Sequence, residues 1–80
     1  MSVAVTLPVA LAAIGAAIAI VGGAVATGVA QAAIGSAGIG LLAEKPESMG
    51  SVLLLVVLPE TLIIFGFVVA ILILLGAGLV

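Results

Sequence analysis

Residues 51–80 read SVLLLVVLPETLIIFGFVVAILILLGAGLV, an apolar run interrupted near its middle by one acid, Glu60, inside Leu58-Pro59-Glu60-Thr61-Leu62. A run of about 20 apolar residues crosses about 30 Å of hydrocarbon as a helix, and this one is longer. A carboxyl group placed within it costs about 2.5–3.5 kcal/mol on insertion scales, so such an acid is read as functional by default. The chain is therefore organised around one titratable group at membrane depth.

Working outward, a second apolar run occupies about 7–42, and the two flank the only cluster of charges, Ala43-Glu44-Lys45-Pro46-Glu47-Ser48. The simplest arrangement is an all-α membrane protein, a single transmembrane hairpin over 1–80 with helix one at about 7–42, a polar loop at about 43–48 and helix two at about 49–80. Leu7-Pro8 marks the start of the first helix, Pro46 suits the first turn of the second, and Ser48 is an alternative cap. Both runs exceed a minimal span, so the helices tilt or project from the bilayer. The lone Lys45 argues for a cytoplasmic loop under the positive-inside rule.

Composition excludes much else. With 68% hydrophobic residues, 5% charged residues and a mean hydropathy of +1.83, the surface of an 80-residue globule would not be polar enough to keep it dissolved. The absence of cysteine and histidine removes thiol chemistry and the usual metal constellations, so no metal site and no cofactor are expected. A net charge of -2 leaves no basic patch for nucleic acid. Residues 1–44 lack Lys and Arg before the loop, which argues against a cleaved signal peptide.

The first helix is built from small side chains. At about 100° per residue, Ala12, Gly15, Ala19, Gly22, Ala26, Ala33, Ala37 and Gly40 share one face. Ala13, Ala17, Ala24, Gly28, Gly35 and Gly38 form a second, roughly opposite face, with Gln31 as its long polar member. Small residues let helices pack closely in lipid, and a closed ring needs two such faces where a dimer needs one. Gly15, Gly22, Gly28 and Gly35 are the expected packing positions, in an inner helix of a homo-oligomeric ring. The second helix is bulkier. Its small stripe, Pro59, Gly66, Ala70 and Ala77, is the expected seat for the first helix.

Folding the hairpin between Lys45 and Pro46 brings Gln31 and Glu60 to the same depth, about 22 Å from the turn at 1.5 Å per residue. A glutamine amide there can hydrogen-bond a carboxyl group that would otherwise be unpaired. Thr61 adds a hydroxyl, and Pro59, lacking an N–H, releases the carbonyl of Leu55. Glu60, Gln31 and Thr61 are thus the candidate ion-binding residues. In hydrocarbon the neutral carboxyl is favoured, and the group ionises when it meets water or a cation on another subunit. Thr27 is free to bond back to its own helix and needs no further role.

The small-residue first helix with Ala26-Thr27-Gly28-Val29-Ala30-Gln31-Ala32-Ala33-Ile34-Gly35, the turn Ala43-Glu44-Lys45-Pro46-Glu47, and Leu58-Pro59-Glu60-Thr61-Leu62 resemble the proteolipid (c-type or K) rotor-ring subunit of archaeal-type and V-type rotary ATP synthases. The resemblance covers nearly the whole chain. It implies a non-catalytic, multi-pass rotor subunit in the cell membrane, whose many copies form a ring and each carry an ion on the carboxyl corresponding to Glu60. It also implies a stator subunit that presents an arginine, and central-stalk subunits that meet the loop at Glu44, Lys45 and Glu47. Sodium requires several oxygens, whereas a proton needs the carboxyl and one acceptor. The apolar Leu62, Ile63, Ile64 and Phe65 after Thr61 favour the proton. The alternatives are a small oligomeric membrane pore, which needs no outward-facing acid, and a helix-packing anchor, which would tolerate Glu60→Leu. Enzymatic chemistry has neither a nucleophile nor an acid–base pair to work with.

Overall fold

The computed structural model describes residues 4–80; the first three residues of the expected 1–80 hairpin lie outside the described residues. The chain forms two antiparallel arms. The first is a single helix, α1 (Leu7–Glu44); the second comprises a 3-10 turn (Pro46–Ser48), α2 (Met49–Val57) and α3 (Glu60–Gly76). The longest dimension is 59 Å, almost twice the roughly 30 Å of a hydrocarbon core, so the ends project beyond it.

α1 starts where the sequence supplies a cap. The Thr6 side chain accepts a hydrogen bond from the Val9 N–H at 3.4 Å, and Pro8 occupies the first turn, where its missing N–H costs nothing. The helix runs through Ala43 and Glu44, past the expected boundary at 42. Charge does not stop a helix, but a following proline does: Pro46 disfavours the α conformation for Lys45, which leaves the helix at φ -134°, ψ 79°. The turn is correspondingly tighter than 43–48, and Ser48 makes no side-chain capping bond.

The second arm departs more from a continuous helix over 49–80. It breaks at Leu58-Pro59, although Leu58 (φ -58°, ψ -44°) and Pro59 (φ -61°, ψ -20°) both keep right-handed helical angles. What changes is the hydrogen bonding: the Thr61 N–H bonds the Leu58 carbonyl at 3.1 Å and the Leu62 N–H bonds the Pro59 carbonyl at 3.0 Å, each three residues back. The arm also ends early, at Gly76. Gly78 takes φ 75°, the Leu79 N–H reaches the Leu74 carbonyl at 2.9 Å and the Gly78 N–H reaches that of Leu75 at 3.1 Å, a Schellman ending that only a glycine accommodates readily.

Contact between the arms is made mostly by backbone and small side chains. A Cβ placed on Gly66 would stand 2.6 Å from the Ala19 carbonyl oxygen, and one on Gly23 would stand 2.8 Å from that of Leu62. Ala16, Thr27, Gly38, Val52 and Ala70 are the buried residues of this seam. The stripe of Pro59, Gly66 and Ala70 does receive α1, as expected of the smallest side chains on that arm. On α1 the seam follows Ala16, Ile20, Gly23, Thr27, Ile34 and Gly38, a line passing between the two small faces and touching them at Ala19, Gln31 and Gly38. Most of both small faces is left outside the hairpin.

Large apolar side chains dominate the exterior, among them Ile18 at 66% exposed, Val29 at 68%, Leu54 at 60% and Phe65 at 62%. Exposed to water, such a surface would be untenable; facing lipid or further apolar protein, it is stable. Both arms are long and apolar enough to span a bilayer.

Candidate functional site around the break in the second arm

The proline break disturbs the regular backbone bonding, and in lipid each unsatisfied polar group costs several kcal/mol. Side chains add donors at three carbonyls around it, two of which, those of Leu58 and Pro59, also accept a backbone N–H. The Thr27 hydroxyl donates to the Pro59 carbonyl at 2.8 Å, one N–H of the Gln31 amide donates to the Val56 carbonyl at 3.1 Å, and the Thr61 hydroxyl donates to the Leu58 carbonyl at 2.8 Å. The sequence pointed instead to the Leu55 carbonyl, yet among the described residues no side-chain donor reaches it. Donors from α1 must approach from its side of the second arm, and Val56 and Pro59 lie on the seam.

Glu60 begins α3 immediately after this break. Its Oε2 accepts the other N–H of the Gln31 amide at 2.9 Å, so the residues expected at equal depth do meet across the arms. Gln31 is half-buried and fixed at both N–H groups; Glu60 is exposed, on the outer flank of the seam. Thr61 sits beside Glu60 in sequence, but its hydroxyl is turned onto its own arm. The arrangement gives a carboxyl group one defined partner and leaves the rest of it open to the surroundings.

Thr27 is the residue that sequence reasoning missed. It is 5% exposed, and its hydroxyl bonds across the seam and not back along α1. The signal was present, because Thr27 lies four residues before Gln31 and must share its face one turn away. Once Gln31 is placed against Glu60, Thr27 necessarily meets the next turn of the second arm.

The remaining predicted positions lie elsewhere. A Cβ on Gly15, Gly22, Gly28 or Gly35 would meet nothing within 4 Å, so none of the four builds the contact inside the hairpin. That contact rests on Gly23, Gly38 and Gly66. Glu44, Lys45 and Glu47 are exposed at the turn. Between turn and site lies a wholly apolar recess of about 210 Å³ lined by Ile34, Ala37, Gly38, Leu41, Val52 and Leu55, which adds no polar group to the site.

Two membrane-length arms, joined by a short turn and carrying one acid at a helix break where the opposite helix bonds it, define a class: small membrane proteolipids organised around a single intramembrane carboxyl. Residues 14–73 of the 80 match the family of ATP synthase C subunits, and the chain belongs to that family. It is also similar to A-type ATP synthase subunit K of Methanocaldococcus jannaschii, 46% identical over 49 residues. That match covers 61% of this chain and 22% of the relative, so the chain spans less than a quarter of the length of this curated relative. No solved structure matches. Family and apolar arms together give a membrane protein of the archaeal-type proteolipid kind.

Proposed function

We propose that the hairpin is one unit of a closed homo-oligomeric ring, the ion-translocating rotor of a membrane ATP synthase, and that each copy carries one proton on Glu60. The observation that carries this reading is the 2.9 Å bond from Gln31 to Glu60 across the arms, at a break in the helix and on an outward-facing flank. A carboxyl group held this way stays neutral against lipid and loses its proton where water or a cation is presented to it. Ring rotation past a stator arginine would supply that cation once per step and so couple ion flow to ATP synthesis or hydrolysis.

The open glycines at 15, 22, 28 and 35 support ring assembly, because they leave α1 approachable on faces that the hairpin does not use. With α1 inside and the bulkier second arm outside, Glu60 meets the stator and lipid. Glu44, Lys45 and Glu47 would meet the central stalk on the cytoplasmic side. The proton is favoured over sodium because few oxygens converge on the carboxyl: the Gln31 amide presents its nitrogen to Glu60, and the Thr61 hydroxyl is turned to the Leu58 carbonyl on its own arm.

Glu60→Gln tests the reading. The variant keeps shape and hydrogen bonding but has no proton to release, so rings should assemble while ATP synthesis driven by an imposed proton gradient, in vesicles holding the ring and its partner subunits, falls to background. Synthesis at the normal rate would overturn the proposal. Carbodiimide labelling of Glu60 that millimolar sodium strongly protects against would overturn the choice of ion alone.

A further inference from the structure

We infer that Thr27 is a positioning residue for Glu60, acting through the Pro59 carbonyl; this rests on the reading of Glu60 as the ion carrier. On α1, Ala19, Gly23, Thr27 and Gln31 follow one another at successive turns, and on the second arm they meet Gly66, Leu62, Pro59 and finally Val56 with Glu60. Ala19 and Gly23 approach backbone directly, so their contacts fix distance but exert little directional control. Thr27 is the first rung where a side chain grips the second arm, and it does so at the residue immediately before Glu60.

The grip falls where the second arm is least able to orient itself. Leu58 and Pro59 belong to neither α2 nor α3, and the backbone bonds that their carbonyls accept come from only three residues on, a pattern with poorer geometry than a regular helix. The Pro59 carbonyl takes two donors, the Leu62 N–H at 3.0 Å from within α3 and the Thr27 hydroxyl at 2.8 Å from α1. The peptide unit that leads into Glu60 is thereby tied to α1 one turn from Gln31. Without that tie, the only side-chain bonds from α1 to the second arm among the described residues are those of Gln31 itself, and the direction in which α3 leaves the break is held by them and by apolar contacts.

The burial of Thr27 agrees with this role. At 5% exposed it is the buried polar residue of the seam, with its hydroxyl spent on the second arm. A hydroxyl needed only for packing is replaceable by a methyl group of nearly the same size; one that orients a carbonyl is not. No other titratable group faces Glu60 from α1, which carries Gln31 and Thr27 there and has its sole acid, Glu44, at its far end.

The test is carbodiimide labelling of Glu60 as a function of pH in the membrane-embedded protein, comparing wild type with Thr27→Val and Thr27→Ser. Thr27→Val should extend labelling to higher pH by about half a unit or more, the effect of losing one hydrogen bond to the carboxylate, while helical content and oligomer size stay unchanged. Thr27→Ser, which retains the hydroxyl, should restore the wild-type profile. A Thr27→Val profile that superimposes on wild type overturns the inference and leaves the carrier reading intact. Loss of the carrier reading would appear separately, as proton-driven synthesis that survives Glu60→Gln. Should Thr27→Val fail to assemble, Thr27→Ala, which removes the hydroxyl and adds no bulk, is read by the same criterion. If neither variant assembles while Thr27→Ser labels as wild type, Thr27 is required for the fold itself, and the inference is equally overturned.

Discussion

The two arms solve the same problem, crossing a bilayer, in different ways. α1 is an unbroken helix of 38 residues whose small side chains let other backbone come close, and its interior amide and hydroxyl groups, on Gln31 and Thr27, are free to serve another helix. The second arm is bulkier and carries a proline within its apolar span, which disturbs its backbone bonding and sets an acid beside the break. Neither arm is a site by itself. The donors are on the continuous helix, the acceptors and the carboxyl on the broken one, and the close passage at Gly23 and Gly66 lets them meet.

The largest effect should come from denying that passage. Gly66→Ala or Gly23→Ala would set a Cβ 2.6 Å or 2.8 Å from a backbone carbonyl oxygen, and backbone cannot swing aside as a side chain can. Overpacking costs about 1–3 kcal/mol and sometimes more, so the arms should part, seen as a lower unfolding temperature in detergent and wider spacing between spin labels on the arms. Gly50→Ala and Gly76→Ala, which meet open space, should leave the hairpin unchanged. Gly22→Leu and Gly28→Leu should spare the hairpin and break up the oligomer on native gels, because their surroundings are open only within one chain. Stability of Gly66→Ala equal to wild type would show that small side chains are not what joins the arms.

How far this arrangement was legible in the sequence differed between the arms. For α1 the start at Leu7-Pro8 was plain because a proline in the first turn is a local signal. The depth match of Gln31 with Glu60 was legible too, since it follows from counting residues back from the turn. The face that α1 turns inward was not. Both small faces were visible, but the seam chosen by the second arm runs between them, and that choice depends on where Val52, Pro59 and Gly66 stand in three dimensions. Thr27 went unrecognised although its place one turn from Gln31 was legible, because a threonine within a helix can equally bond back to its own turn. On the second arm, Pro59 announced a disturbance but not its form, because a proline can bend a helix, unwind it or shorten its bonding, and the outcome depends on which donors a neighbour offers.

An intermediate effect is expected from making the second arm resemble the first. Pro59→Ala restores an N–H able to bond the Leu55 carbonyl, so α2 and α3 should fuse into one helix and helical content should rise by about the residues now lost at the break. Regular bonding would turn the peptide before Glu60 away from Thr27 and the carboxyl away from Gln31. Carbodiimide labelling should then depart from wild type in the same direction as in Gln31→Ala, which loses the same bond, even though the protein is at least as stable as before. Unchanged labelling in a demonstrably continuous helix would mean that the break is incidental to the site.

The smallest and most specific change is to remove a donor while leaving both backbones alone. Gln31→Ala deletes the amide that holds Glu60 at 2.9 Å and Val56 at 3.1 Å, without disturbing the glycine contacts at 23 and 66. A donor to a carboxylate oxygen favours the charged form, so its loss should let the neutral, reactive form persist to higher pH. Gln31→Glu would not serve as a substitute, because a second acid opposite Glu60 adds repulsion of its own. A profile for Gln31→Ala that coincides with wild type, in hairpins of unchanged stability, would mean that the continuous helix merely supports the broken one and contributes nothing to its carboxyl.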